Sequence, residues 1–294
     1  MFKELRAKPI TKILYKEITD EIKRLNITPK LVIILVGNDP ASEYYISSVT
    51  KKAKKVGIKV ELKKFNDTII QSELINFIEE LNTNEEVDGI MIQKPLPSQI
   101  NDDEISEKIN PDKDVDAFHA VNMGNLILDK SGFLPCTPAA ILEIFKFYKI
   151  ELEGKHVVVI GRSNIVGKPI ANLLLRKNIY ANATVTICHS KTKNISEYTK
   201  KADILIATIG KANYITNDMV SKNTVIIDVG INLIIDKDVK SIYVGDVDYN
   251  SCYNDCLAIT PVPGGVGSIT TAILLKNVIY ANKIKKRKNF VDEK

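Results

Sequence analysis

The chain has no tryptophan, and only three histidines and four cysteines among 294 residues. These scarcities narrow the chemistry. Cys136, Cys188, Cys252 and Cys256 form no paired C-x-x-C units, so neither a zinc ribbon nor a disulfide framework is expected, and no metal site is assigned. The spacing fits reduced thiols of a cytoplasmic protein. Long apolar runs are missing too. The best candidates, Leu31–Val36 and Val157–Ile160, fall far short of the ~20 residues of a membrane span, so no membrane partner is expected. The opening MFKELRAKPITK has no apolar stretch of a secretory leader. Nor is positive charge spread over the chain. Net charge is +5, but Lys283–Lys294 holds six basic against two acidic side chains and so carries +4 of it. That tail, with KIKKRK, reads as a solvated, frayed terminus, and no nucleic-acid partner is expected.

A hydrophobic content of 45% with 26% charged residues is that of a soluble globular protein. Helix and strand signals alternate. Thr11–Leu25, Ser42–Val56 (with Ser42 as N-cap) and Ser72–Asn82 read as helices, and Lys30–Val36, Ile58–Phe65 and Gly89–Gln93 as strands. Pro95–Pro138 is punctuated by prolines and reads as clustered loops. A second α/β run has strands at His156–Ile160, Thr184–Cys188, Ile204–Ala207 and Thr224–Val229, and Ile269–Ile284 is a final helix. Strands separated by helices imply a mostly parallel sheet. The expected fold class is α/β and two-lobed: a discontinuous first domain, 1–137 completed by a C-terminal helix 268–294, a second α/β domain 138–267, and a cleft between them.

The stretch VVVIGRSNIVGKP, from Val157, runs from a strand into a helix through two glycines. Gly161 and Gly167 permit close approach of a phosphate and of helix to sheet, and Pro169 suits a first helical turn. The spacing is not G-x-G-x-x-G, so alone it is a weak dinucleotide signal. The following strand ends in HSKT, with Ser190 and Lys191 where an NAD-preferring fold places a carboxylate. Arg162 can add a bidentate guanidinium. The combination favours NADP over NAD.

The blocks VGNDPASEYYISS, DGIMIQKPLP, NPDKDVDAFH, PCTP, GRSNIVGKP, TVTICHSKTKN, IIDVGIN, GDVD and TPVPGGVG, in this order, resemble those of the bifunctional methylenetetrahydrofolate dehydrogenase/methenyltetrahydrofolate cyclohydrolase family over nearly the whole chain. The resemblance implies oxidation of 5,10-methylenetetrahydrofolate by NADP, then hydrolysis of the methenyl product to 10-formyltetrahydrofolate. It makes the first domain the folate-binding catalytic domain and 138–267 a Rossmann-type NADP-binding domain, through which a homodimer forms, and it implies a place in one-carbon metabolism serving purine, methionine and histidine biosynthesis. It assigns catalytic roles to Tyr45, Gln93 and Asp116. The folate site it implies is Tyr45, Ser48, Val49, Ile92, Gln93, Lys94 and Asp116 with the loop Pro263, Gly264, Gly265, Val266 and Gly267. The cofactor site it implies is Gly161, Arg162, Ser163, Val166, Gly167, His189, Ser190 and Ile231. A carboxylate at Asp116 suits the donor edge of a pterin, and a tyrosine offers a flat face with a polar tip.

Four departures fall in the folate blocks. Val49 stands where the family pattern Y-V-x-x-K-x-K has its catalytic lysine, and it shares a helix face with Tyr45, so both can face the same pocket. Lys94 replaces a leucine, Ala117 a glycine and Ser268 a proline. Valine can neither give nor take a proton, so hydrolysis is expected to be weakened or lost. The alternative is a fully bifunctional enzyme whose amine comes from Lys94 or another lysine, although a solvent-facing Lys94 is the plainer expectation. Outside this reading stand a related two-lobed dehydrogenase of a hydroxy acid or shikimate-like substrate, and a non-catalytic folate/NADP-binding sensor.

Overall fold

The computed structural model describes residues 3–235 and 241–292, with side chains to Arg287. The chain forms two compact units, Ile13–Leu134 with Thr271–Lys294, and Met1–Lys12 with Pro135–Thr270.

α1 (Lys8–Leu25), which enters the first unit at Ile13, buries Ile10, Leu14, Ile18 and Ile22 at four-residue intervals, the stripe of an amphipathic helix. β1 (Lys30–Val36), α2 (Pro40–Val56), β2 (Lys59–Phe65), α3 (Gln71–Thr83) and β3 (Gly89–Ile92) follow, and the strands form a parallel sheet in the order β2-β1-β3. Leu31 pairs with Val60 on one side and Gly89 on the other. β1 is central and apolar after Lys30, while lysine-rich β2 is the wet edge. On one face Val32, Ile34, Ile90 and Ile92 pack with Leu74 and Ile78 of α3 and with Ile105 of α4 (Asp102–Lys108).

Two expectations need correction here. α2 is capped by Asp39, which accepts the Ser42 N–H at 2.8 Å, so Ser42 lies inside the helix, behind Pro40. The proline-punctuated stretch is also less loop than expected. It holds α4, α5 (Ala120–Ile127) and the start of α6 (Cys136–Tyr148). Asn101 caps α4 through the Asp103 and Glu104 N–H groups, and His119 Nδ1 accepts from Val121 N at 3.0 Å to cap α5. Both helices are too short for periodicity to reveal, and their signals are the caps.

In the second unit, β4 (His156–Ile160), α7 (Gly167–Leu174), β5 (Thr184–Cys188), α8 (Ile195–Thr199), β6 (Ile204–Ala207) and β7 (Val225–Asp228) lead to a separate antiparallel pair, β8 (Asn232–Ile235) and β9 (Ser241–Val244). After α9 (Tyr249–Cys252), β10 (Ala258–Ile259) completes a parallel sheet ordered β10-β7-β6-β4-β5. The chain leaves β4 for β5 on one side and reaches β6 on the other. That is the switch point of a doubly wound, Rossmann-like sheet. The N-terminal segment belongs with this unit and not with 13–134, because its backbone pairs with β10: Leu5 N donates to Ile259 O at 2.8 Å, and Ile259 N to Lys3 O at 2.9 Å.

The last helix, α10 (Val266–Asp292), starts earlier than expected and continues past Ile284, where the apolar pattern stops. The first lysines of the basic segment are tied down. Lys283 pairs with Glu21 at 2.5 Å, and Lys285 reaches Asp88 at 2.5 Å and the Glu85 carbonyl at 2.7 Å. Glu293 and Lys294 lie outside the described residues. No helix of the described residues is long and apolar enough to cross a membrane.

Candidate functional sites

The folate residues of the first unit come from α2, from the end of β3 and from the loop after it. Along α2, Tyr45 and Ser48 are half-buried, whereas Val49 is fully buried in the stripe Ser42, Ile46, Val49, Ala53 and Val56. The structure thus places Val49 in the core, where it presents no surface beside Tyr45. At the end of β3, Gln93 donates through Nε2 to the Lys94 carbonyl at 2.7 Å. Its Oε1 is buried and accepts nothing. A buried acceptor without a donor is costly to keep, which marks a place a ligand donor can fill.

Lys94 is half-buried and not solvent-facing as expected. Its ammonium pairs with Asp102 of α4 at 3.1 Å and lies 5.6 Å from the Phe118 ring centroid. With Ile92, Asp116 and Phe118 it lines a cavity of about 10 Å³, room for a single water. Because Ile90 and Ile92 also line this cavity, Lys94 is held on the α3–α4 side of the sheet, and none of the buried residues of α2 belongs to the core cluster on that side.

Within DKDVDAF the structural work falls on residues that sequence reasoning passed over. Lys113 donates to the Leu81 and Asn84 carbonyls at 2.8 and 2.7 Å, closing the end of α3. Burial lowers its ammonium pKa. Asp114 accepts from His119 N at 2.8 Å and Asn122 Nδ2 at 2.9 Å, and burial raises its carboxyl above the usual range. Asp116, two residues on, stays half-buried. Ala117 takes φ +61°, the left-handed region that a glycine occupies without strain.

In the second unit the cofactor residues gather at the switch point. A Cβ on Gly161 would stand 2.1 Å from the Thr208 carbonyl at the end of β6, and one on Gly167 would stand 2.3 Å from the Gly161 carbonyl. Both glycines are therefore obligatory, and they leave bare backbone at the mouth of β4. Ser163 Oγ accepts from Val166 N and Gly167 N at 3.2 and 3.3 Å, so its hydroxyl caps the start of α7, and Val166 is buried beneath it. Arg162, Ser190 and Lys191 are exposed, and Arg162 and Lys191 form no ion pair among the described residues. His189 holds the turn after β5, its Nδ1 accepting from Lys191 N at 3.2 Å.

The glycine loop is split. Pro263, Gly264 and Gly265 precede α10, while Val266 and Gly267 form its first turn. Gly264 O accepts from Ala7 N at 2.8 Å. A Cβ on Gly267 would be 2.9 Å from Ile231 Cδ1, so the structure brings these two predicted residues together.

Two buried carboxylates underlie this arrangement. Asp228 accepts from the N–H groups of Gly230, Asp246 and Val247, each at 3.0 Å. Asp246 accepts from Ile209, Gly210 and Lys211 N–H groups at 2.6, 3.0 and 2.9 Å and from Asn232 Nδ2 at 2.9 Å. They tie the loops after β6 and β7 to the segment after β9 and so position Ile231. A Cβ on Gly245 would strike Asp228, and one on Gly230 would strike Asp246. The readable signal was an aspartate within two residues of a glycine in both IIDVG and GDVD.

A doubly wound sheet with a glycine-walled switch point, joined to a second parallel α/β unit, defines a two-unit nucleotide-binding α/β protein. The tetrahydrofolate dehydrogenase/cyclohydrolase catalytic-domain profile matches residues 5–116, and the NAD(P)-binding-domain profile of the same family matches residues 135–286. The chain belongs to that family. It is 48% identical over 287 residues to the bifunctional protein FolD of Campylobacter hominis, covering 96% of this chain and 98% of that one. It superposes on the bifunctional FolD methylenetetrahydrofolate dehydrogenase/cyclohydrolase of Campylobacter jejuni with a TM-score of 0.88 at 43% identity, covering 95% and 98% of the chains. The Trypanosoma brucei dehydrogenase-cyclohydrolase complexed with NADP cofactor and inhibitor gives 0.89 at 31% identity, covering 96% and 97%.

Proposed function

We propose that the chain oxidises 5,10-methylenetetrahydrofolate to the methenyl cation, with the folate held by the first unit and NADP by the second. NADP is the cofactor, and when bound it supplies the acceptor for the hydride. The observation that carries the reading is the coincidence, in one member of this family, of a bare glycine switch point beside an unpaired Arg162 and a buried Gln93 Oε1 awaiting a donor. Arg162 and Ser190 are assigned to the 2′-phosphate, since no carboxylate follows β5 to repel it. The bare backbone at Gly161, at the mouth of β4, is assigned to the diphosphate. On the folate side Asp116 takes the donor edge of the pterin, Tyr45 covers a ring face and Gln93 accepts through Oε1. These contacts orient the methylene carbon, and positioning is the main demand of hydride transfer.

Hydrolysis asks for more than positioning, because protons must move as the ring opens. Val49 offers none and has no exposed surface. Lys94 is committed to Asp102. Neither residue is assigned the role.

A homodimer through the second unit has its own support. The β8–β9 pair exposes Leu233, Ile235 and Tyr243 at 60%, 74% and 47%. An isolated two-stranded ribbon is marginal in water and gains from a covering partner. Sedimentation as a monomer at micromolar concentration would refute it.

The test of function is incubation with methylenetetrahydrofolate and NADP. Reduced cofactor is the expected outcome, with a raised KM for folate in Asp116→Asn. No reduced cofactor from the wild-type chain overturns the reading and favours a binding protein.

A further inference from the structure

α2 carries a second stripe beside its buried one. Tyr45, Ser48 and Lys52 are all half-buried, and their spacing of three and four residues puts them along one edge of the helix. At 3.6 residues per turn, Lys52 lies within about 20° of Tyr45 around the axis and about 60° from Val49, while Lys51 points to the opposite side. The rise from residue 49 to residue 52 is only about 4.5 Å. Helical side chains lean toward the N-terminus and cover the turn before their own Cα. A lysine at 52 therefore carries its ammonium back over the turn of Ser48 and Val49, toward Tyr45.

The other half-buried and buried lysines of this unit have partners. Lys30 pairs with Glu61, Lys94 with Asp102 and Lys285 with Asp88, and Lys113 donates to two carbonyls. Lys52 has neither an ion pair nor a hydrogen bond among the described residues. Burial without a counter-charge lowers its pKa below that of an ordinary lysine, which raises the share of free amine near neutrality. Such an amine is not spent on a structural ion pair, and lysines with lowered pKa suit proton transfer.

We propose that Lys52 is the general base and acid of methenyltetrahydrofolate hydrolysis, acting from the turn of α2 that follows the valine. The proposal rests on the folate site assigned above. Water adds through oxygen to the methenyl carbon, and the Lys52 amine takes one of its protons. The bond from that carbon to N5 then breaks, its electron pair staying on N5, which receives the proton from the Lys52 ammonium. The hydroxyl proton leaves to solvent as the formyl C=O forms on N10. One water is consumed and one proton released, with no change of oxidation state.

The test supplies methenyltetrahydrofolate directly to the full-length chain, so that hydrolysis is read independently of oxidation and corrected for the spontaneous rate. Wild-type chain is expected to hydrolyse it. Lys52→Met, which keeps the stem, and Lys52→Gln, which keeps a polar tip, should each lower the ratio of hydrolysis to oxidation by about 10²-fold or more. Both should also flatten the rise of hydrolysis with pH that a titrating amine produces. Far-UV circular dichroism and NADP titration of both variants separate this from misfolding. Wild-type hydrolysis no faster than the spontaneous rate, or variants that hydrolyse like wild type, overturn the role of Lys52 while leaving the dehydrogenase reading standing. Hydrolysis that depends on Lys52 without any NADP reduction has the opposite meaning: Lys52 stands and the dehydrogenase reading falls.

Discussion

Arg162 and Ser190 follow the ends of two adjacent parallel strands, β4 and β5, so both reach the same corner of the second unit. One adjoins the glycine whose missing Cβ exposes the backbone, and the other stands where a carboxylate is absent. Replacing both by alanine removes charge-assisted hydrogen bonds worth ~1.5–3 kcal/mol, or roughly 10- to 100-fold in affinity. The loss should fall on NADP and largely spare NAD, which has no 2′-phosphate. Titrating the double variant with each cofactor checks this, and equal losses would place the phosphate elsewhere. These residues were legible because a strand, a glycine turn and a helix start are local in sequence. The burial of Val49 was not, since a helical face shows which residues align but not which neighbour covers them. Asp228 and Asp246 were missed for a related reason: their donors come from segments far apart in the chain, and an aspartate near a glycine does not show by itself which loops it ties.

The central strands and long helices were legible from periodicity and apolar runs, and their misread ends have physical causes. Proline at the first turn of α2 moved its cap to Asp39. Charge alone made the end of α10 look solvated, whereas Lys283 and Lys285 have acidic partners on other elements. Asp88 is buried at the start of β3 and accepts from Lys30 N at 2.8 Å, from Asn282 Nδ2 at 2.9 Å and from Lys285 at 2.5 Å. Lys285→Met leaves that carboxylate with two donors and without its ion-pair partner. Removing one partner of a buried pair costs ~3–5 kcal/mol, and the partial exposure of Lys285 brings the expected loss to about 1–3 kcal/mol. Asp88→Asn combined with Lys285→Met should cost less than the two single changes added together. Denaturant unfolding of the four proteins measures that coupling, and strict additivity would show that the helix end is held by packing alone.

Across the whole chain, the two-unit α/β plan followed from alternating signals, but the allocation of the N-terminus did not. Residues 3–7 carry no strand pattern, and only backbone pairing to β10, more than 250 positions away in sequence, assigns them to the second unit. Long-range closure of this kind also makes the stability of that unit depend on the groups buried where its loops meet. Asp228 is the clearest case. Burial pushes its carboxyl from 3.8 up to about 7, with the Asp246 carboxylate adding to the rise and three backbone N–H donors opposing it. A carboxyl with a folded pKa above its unfolded one favours the folded state in its protonated form. Its contribution is complete below about pH 4 and is lost as pH rises to about 7, a change on the order of 4 kcal/mol. Asp228→Asn is neutral throughout. Its Oδ1 keeps the Gly230 and Asp246 donors, and its Nδ2 facing Val247 N imposes a penalty that does not vary with pH. The wild-type advantage over this variant should therefore be greatest at pH 5, shrink toward pH 7 and stay level above it. Urea unfolding midpoints at pH 5, 6, 7 and 8 follow that difference, and parallel curves for the two proteins would mean that Asp228 is ionised in the folded chain, held by its backbone donors.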